Sequence, residues 1–140
     1  APLHLHDPHL DLSHVPLYLG ATAGVRNLTE KAQHIVMRGV RTFFRSKDNP
    51  FAFRHDAQAR ILSGEEEGTF AWLGLNYFMD SISTSGQTTH GSLDFGGDSM
   101  QIAFVPQDSS ILAGFFPLHF STTQGLPIHL YTHSFLQFGK

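Results

Sequence analysis

The sequence predicts an α/β domain. Two observations carry this. A short apolar β-favouring run is followed twice by a small-residue or capped turn and a helix-period segment, and the second half of the chain breaks into β-favouring runs around a glycine-rich turn. Composition sets the bounds. The 140 residues suit one domain, or one lobe of a larger protein, and can enclose a core. Charged residues make up 15% of the chain, low against a usual value of about 25%, which argues against a disordered tail. Nine Lys and Arg against twelve Asp and Glu give a formal charge of −3, so no polycationic surface is expected. Nucleic acid and anionic lipid are therefore not the expected main partners. The absence of cysteine removes disulfides, thiol nucleophiles, Cys-ligated zinc and iron–sulfur clusters without fixing a compartment. No apolar stretch approaches the roughly 18 residues needed to span a bilayer, and no basic-then-apolar leader is present.

The expected organisation is an irregular N-terminal segment over residues 1–14 and one incomplete lobe over 15–140. His4, His6, His9 and His14 lie among Pro2, Pro8 and Pro16. Imidazoles at such spacing either gather a zinc or copper ion or face solvent. Val15-Pro16-Leu17-Tyr18-Leu19 then reads as a strand ending at Gly20, and Gly20 to Gly24 is small at every position. Asn27-Leu28-Thr29-Glu30 offers a helix N-cap, although Asn27-Leu28-Thr29 also matches a glycosylation acceptor. Ala32, Ile35, Val36, Val40, Phe43 and Phe44 recur at helical spacing opposite Lys31, His34, Arg38, Arg41 and Arg45, before Lys47-Asp48-Asn49-Pro50 closes the helix. A small-residue turn between strand and helix leaves backbone N–H groups open to a phosphate, or simply permits close packing.

A second unit repeats the plan. Ala59 to Leu62 is a predicted strand, and Ser63 with Glu66 forms a capping box. The helix continues through Phe70, Trp72, Leu73, Leu75, Tyr77, Phe78 and Met79, apolar nearly all round and so expected to be buried. Capping and the helix dipole account for Glu65 and Glu66. They leave Glu67, where the helix turns into the core, as a candidate catalytic acid.

Ser81 to Thr89 reads as a loop. Gly91 to Phe95 and Gln101 to Val105 flank Gly96-Gly97-Asp98-Ser99-Met100 as a hairpin. Gly96 and Gly97 permit close approach of a phosphate, and Asp94 can hold a hydrated divalent cation. Ser99 and Gln101, two apart on a strand, share a face and can grip one water. A plain hairpin with a tight turn is the alternative. Further strands are predicted over Ile111–Phe116 and Pro127–Tyr131, with Thr132 to Gly139 entering a helix.

Leu17-Tyr18-Leu19-Gly20-Ala21-Thr22-Ala23-Gly24-Val25-Arg26 resembles the second conserved region of the apyrases, the nucleoside triphosphate diphosphohydrolases. Ile61 to Trp72, continuing to Asn76-Tyr77, resembles their third. Leu93-Asp94-Phe95-Gly96-Gly97 with Ser99 and Gln101 resembles the fourth, and Tyr131-Thr132-His133-Ser134-Phe135-Leu136 the segment beyond it. The resemblance implies an actin-like, RNase H-like lobe, mixed sheet with flanking helices, from an enzyme that hydrolyses nucleoside tri- and diphosphates with Ca²⁺ or Mg²⁺. By position, Glu67 would be the general base, Ser99 and Gln101 would hold the attacking water, and Asp94 would act on the metal through water. Gly96 and Gly97 would bind phosphate by their amides, and Thr22, Ala23 and Arg26 would support the phosphate end of the site. Relatives are extracellular, lumenal or membrane-attached, and any anchor is expected outside this segment.

The chain departs from the family pattern in several places. The first conserved region, an Asp-x-Gly-Ser-Ser loop, and the last, with the second lobe, are absent from the 140 residues. The isolated chain is therefore expected to hydrolyse ATP poorly, and the missing second lobe of the same protein is an expected partner. Asp98 places a negative charge where the family has a small residue, weakening anion binding unless it faces solvent or binds metal. Met100 replaces a usual Thr, and Gln137 stands where many animal members have Cys. Two alternatives stay open: an exopolyphosphatase of the same superfamily, and a non-catalytic nucleotide-binding or structural lobe.

Overall fold

The chain's computed structural model describes residues 11–82, 89–107, 115–118 and 128–139. The backbone divides into two compact units, Ala1–Ala21 with Val25–Ile61 and Thr22–Gly24 with Leu62–Lys140. Of the predicted small-residue turn, Gly20 and Ala21 lie in β1 (Leu19–Ala21), and Ala23 and Gly24 open a short helix α1, Ala23–Arg26. The zinc or copper reading of His4, His6 and His9, and residues 1–10 of the irregular segment, lie outside the described residues. His14 is exposed, 3.4 Å from Asp11.

In the first unit, β1 (Leu19–Ala21) pairs in parallel with β2 (Ala59–Ile61), Leu19 opposite Ala59 and Ala21 opposite Ile61. The predicted strand over Val15–Leu19 is thus displaced toward the small residues. Pro16 lacks an N–H to donate to a ladder, and it makes only an isolated bridge to Ala52. Helix α2 spans Glu30–Phe44, and its cap is Thr29, whose hydroxyl accepts from the Ala32 N–H at 3.4 Å. Met37 is its buried residue, packed with Ala21 and Ala59, and Val40 and Phe44 flank that cluster. The buried stripe therefore runs through Met37, Val40 and Phe44, at i, i+3 and i+7. Ile35, Val36 and Phe43, expected on the core face, are exposed. The expected polar face is likewise engaged in part, because Arg41 Nε donates to the Ala59 carbonyl at 2.9 Å and Arg45 pairs with Asp56.

Among the described residues, the second unit is an antiparallel four-stranded sheet crossed by helix α3 (Gly64–Phe78). Strands β3 (Ser92–Phe95), β4 (Ser99–Phe104), β5 (Phe115–Leu118) and β6 (Ile128–Leu136) lie in the order β3-β4-β6-β5. The predicted hairpin is β3–β4. The predicted break after Tyr131 does not occur: instead of entering a helix, Thr132 to Leu136 continues β6. Each of the six residues from Ser99 to Phe104 has a partner on β6, from Leu136 back to Tyr131. Alternation explains the strand, since Ile128, Leu130 and Thr132 are buried while His129 and His133 are exposed. Of the predicted strand over Ile111–Phe116, residues 111–114 lie outside the described residues, as do 83–88 of the predicted loop.

Helix α3 (Gly64–Phe78) begins at Ser63, whose hydroxyl accepts from the Glu66 N–H at 3.1 Å while Glu66 Oε2 accepts from the Ser63 N–H at 3.0 Å. Its expected all-round burial is corrected to a single stripe: Gly64, Gly68, Thr69, Trp72 and Asn76 are buried, whereas Tyr77 is 80% and Phe78 87% exposed. The buried stripe faces the sheet, and two glycines on it, Gly64 against Ser134 and Gly68 against Thr132 and Gln101, bring helix and sheet together. Among the described residues, no helix is long and apolar enough to cross a membrane.

Asn76 ends the buried stripe and holds the chain leaving α3. Its Nδ2 donates to the Trp72 and His90 carbonyls, each at 2.9 Å, while its Oδ1 accepts from the His90 N–H at 2.7 Å and the Ser81 hydroxyl at 2.9 Å. Asn76→Ala removes four hydrogen bonds at once, one of them buried and three part-buried. Urea unfolding is expected to show a loss of about 2 kcal/mol, since each unsatisfied buried group costs roughly 1–3 kcal/mol. A loss under about 0.5 kcal/mol would refute the clamp.

Candidate active site

The candidate site lies within the second unit, where the start of α3 meets the sheet. Gly68 makes the approach possible: a Cβ there would come within 2.6 Å of Thr132 Oγ1 and 3.3 Å of Gln101 Cβ. Thr132 Oγ1 donates to the Glu65 carbonyl at 3.3 Å, which attaches the helix start to β6. Glu67, beside Gly68, is half-buried.

Ser99 and Gln101 share the helix-facing side of β4, and each is 1% exposed. Gln101 Nε2 donates to Ser99 Oγ at 2.7 Å, to Ser134 Oγ at 3.0 Å and to Glu67 Oε2 at 3.3 Å. Oε1 of the same side chain is buried and has no partner among the described residues. Asp94 on β3 and Ser134 on β6 stand directly opposite Gln101 in the sheet register. Directly opposed residues of antiparallel strands share a face, so Asp94, Gln101 and Ser134 form one row under α3.

At the hairpin turn, the Gly96 N–H donates to the Ser99 carbonyl at 2.9 Å. A Cβ on Gly97 would meet open space. The turn is held from the far end of β6. The Gln137 N–H donates to the Asp98 carbonyl at 2.8 Å, with Gln137 at φ 71°, and any Cβ on Gly139 would overlap the Gly97–Asp98 backbone. The Asp98 side chain is exposed, where water screens its charge. Its Oδ2 lies 3.3 Å from where a Gly24 Cβ would be, so the segment 22–24 reaches this turn. In that segment Thr22 is half-buried and Ala23 is buried.

Of the sequence-derived site residues, Glu67, Ser99 and Gln101 are thus linked through one amide. Asp94 lies in the adjoining register position, with Gly96 and Gly97 in the turn that joins β3 to β4. Arg26 belongs to the first unit, where Gln33 Nε2 donates to its carbonyl at 3.1 Å. Sequence reasoning missed the contacts of Ser134 and Thr132, because the strand carrying them was read as a helix start. The Ile-His-Leu-Tyr-Thr-His alternation of residues 128–133 was the signal that could have found them.

For a metal, the donors at the site are carboxylate and hydroxyl oxygens, the set that suits hard cations such as Ca²⁺ and Mg²⁺. Among the described residues no cluster of three or more His, Asp or Glu forms a cage. One half-buried carboxylate, Asp94, fits a cation that keeps most of its waters.

Residues 5–140 match the GDA1/CD39 (nucleoside phosphatase) family. The chain belongs to that family. It is 39% identical over 139 residues to mouse (Mus musculus) ectonucleoside triphosphate diphosphohydrolase 1, an alignment covering 89% of this chain and 26% of that protein. With human (Homo sapiens) ectonucleoside triphosphate diphosphohydrolase 3 it shares 36% identity over 152 residues, covering 99% of the chain and 26% of the relative. Chicken (Gallus gallus) ectonucleoside triphosphate diphosphohydrolase 5 is 36% identical over 135 residues, 94% of the chain and 30% of the relative. The chain of this GDA1/CD39 family member therefore spans a quarter to a third of the length of these relatives.

Proposed function

We propose that this chain is an actin-like lobe of a metal-dependent hydrolase that cleaves nucleoside tri- and diphosphates at the terminal phosphate. The observation that carries the reading is the buried Gln101 amide, which joins Ser99 and Glu67 through Nε2 while its Oε1 remains without a partner among the described residues. Leaving a buried acceptor unsatisfied costs about 1–3 kcal/mol. Such a group is what a site that orients a water requires.

In this reading, Glu67 takes a proton from a water held by Ser99 and Gln101. The water oxygen forms a bond to the terminal phosphorus, and the bond from phosphorus to the bridging oxygen breaks. Phosphoryl transfer depends mainly on positioning and charge stabilisation, and the residues divide along those lines. Gly97 would offer its amide to the phosphate, at a position where a Cβ would meet nothing, while Gly96, whose N–H closes the turn, permits the close approach. Thr22 and Ala23, in the same unit, support the phosphate end, a role that for Arg26, in the first unit, rests on the resemblance alone. Asp94 would hold a Ca²⁺ or Mg²⁺ ion through water, and that ion would neutralise charge on the phosphate oxygens.

The relatives' names support nucleoside triphosphates and diphosphates as substrates. The complete protein is expected to release phosphate from ATP and from ADP, to stop at the monophosphate, and to lose activity with a chelator. The 140 residues alone are expected to be far slower. Turnover of long-chain polyphosphate with none of ADP would overturn the substrate assignment, and calorimetric heat with a non-hydrolysable ATP analogue but no turnover would overturn the catalytic one.

A further inference from the structure

Resting on that reading of Glu67, Ser99 and Gln101, we infer that Ser134 is a positioning residue of the reaction, aiming the Gln101 amide from the neighbouring strand. A side-chain amide sits on a soft, broad terminal torsion, so its hydrogen bonds decide where its oxygen points. Gln101 Nε2 has two hydrogens and three oxygens in reach, Ser99 at 2.7 Å, Ser134 at 3.0 Å and Glu67 at 3.3 Å. The two shortest contacts define the plane of the amide. Ser99 lies two residues away on the same strand and moves with Gln101. Ser134 lies on β6, directly opposite in register, so it anchors the amide to a second strand.

Gly64 gives the same residue a second connection. A Cβ at position 64 would overlap both Cβ and Oγ of Ser134, so the serine sits against the start of α3 only because that position is glycine. Glu67 follows three residues later on the same helix. Ser134 is thereby packed against the element that carries the proposed base while it bonds the side chain that holds the water. The neighbouring Thr132, on the same face of β6, reinforces the junction through the Glu65 carbonyl.

A space-filling serine and a positioning serine differ in a double-mutant cycle on the complete protein, assayed with ATP and Ca²⁺. Ser134→Ala is expected to lower kcat about fivefold with KM within about twofold, the size of one neutral hydrogen bond expressed in the transition state. In a Gln101→Ala background the same substitution is expected to cost less than about twofold, because the group it aims is gone. Ser134→Cys, close in volume and a weak acceptor, is the companion variant, and the same coupling in it carries the same meaning should Ser134→Ala misfold. An unchanged kcat in Ser134→Ala, or an equal loss in both backgrounds, overturns the inference alone. If the complete protein fails to hydrolyse ATP, or Glu67→Gln and Gln101→Ala leave hydrolysis intact, the reading of the site falls first and this inference with it.

Discussion

Glu67→Gln is expected to lower kcat of the complete protein for ATP by about 10²- to 10⁴-fold, the usual contribution of a general base. The substitution keeps the size of the side chain, and a carboxamide oxygen can still accept from Gln101 Nε2, now 3.3 Å from Glu67 Oε2. What it loses is the ability to take a proton from water. The competing explanation is that Glu67 merely adds charge to the first turn of α3, where it stands with Glu65 and Glu66. Carboxylates at a helix N-terminus are worth about 0.3–1 kcal/mol each, whereas a thousandfold loss of rate corresponds to about 4 kcal/mol on the barrier. The two explanations separate cleanly. Glu65→Gln and Glu66→Gln serve as controls, since glutamine also completes a capping box; both are expected to retain activity within about threefold. Phosphate release by Glu67→Gln within about threefold of the parent would remove Glu67 from the chemistry.

The features that sequence reasoning placed correctly are those made by residues a few positions apart. The Ser63–Glu66 box, the β3–β4 hairpin and the shared face of Ser99 and Gln101 all depend on spacings of two to four residues or on one turn. The failures depend on partners far along the chain. Thr132 and Ser134 look like surface residues until β6 is set beside β4, and their polarity hid the apolar alternation that marks a strand. Thr132 is buried and Ser134 half-buried, and both are tolerated there because Glu65, 67 residues from Thr132, and Gln101, 33 residues from Ser134, satisfy them. The core face of α2 was misjudged for a related reason. Ile35, Val36 and Phe43 are as apolar as Val40 and Phe44, and only the position of β2 selects Met37 as the buried member. At the site, Glu67, Ser99 and Gln101 are candidates on local position alone, and resemblance to the apyrase motifs adds the roles of base and water holders. No motif could show that the Gly96 amide is spent on closing its own turn.

The largest loss of stability is expected at Trp72, the one tryptophan of the chain. It is fully buried, in a cluster whose other buried members among the described residues are Ala103, Ile128 and Leu130, with Leu73 and Val105 at the margin. The described neighbours, one alanine and two aliphatic side chains, are too small to collapse into the space an indole leaves. Trp72→Ala is therefore expected to cost about 3–5 kcal/mol, a large share of the roughly 5–15 kcal/mol that holds a domain folded. Trp72→Phe should behave differently, because two effects oppose. The smaller ring leaves a cavity, but the substitution also removes Nε1, a buried donor without a partner among the described residues. Deleting an unpaired buried N–H recovers about 1–3 kcal/mol, comparable to the packing lost. Trp72→Phe is accordingly expected to lie within about 1 kcal/mol of the parent in urea unfolding followed by circular dichroism, with an unchanged slope. If phenylalanine costs as much as alanine, the indole N–H is contributing a bond of its own. If both are nearly silent, α3 is not held to the sheet by this side chain, and the placement of Glu67 against Gln101 must depend on the junction at Gly64 and Gly68 alone.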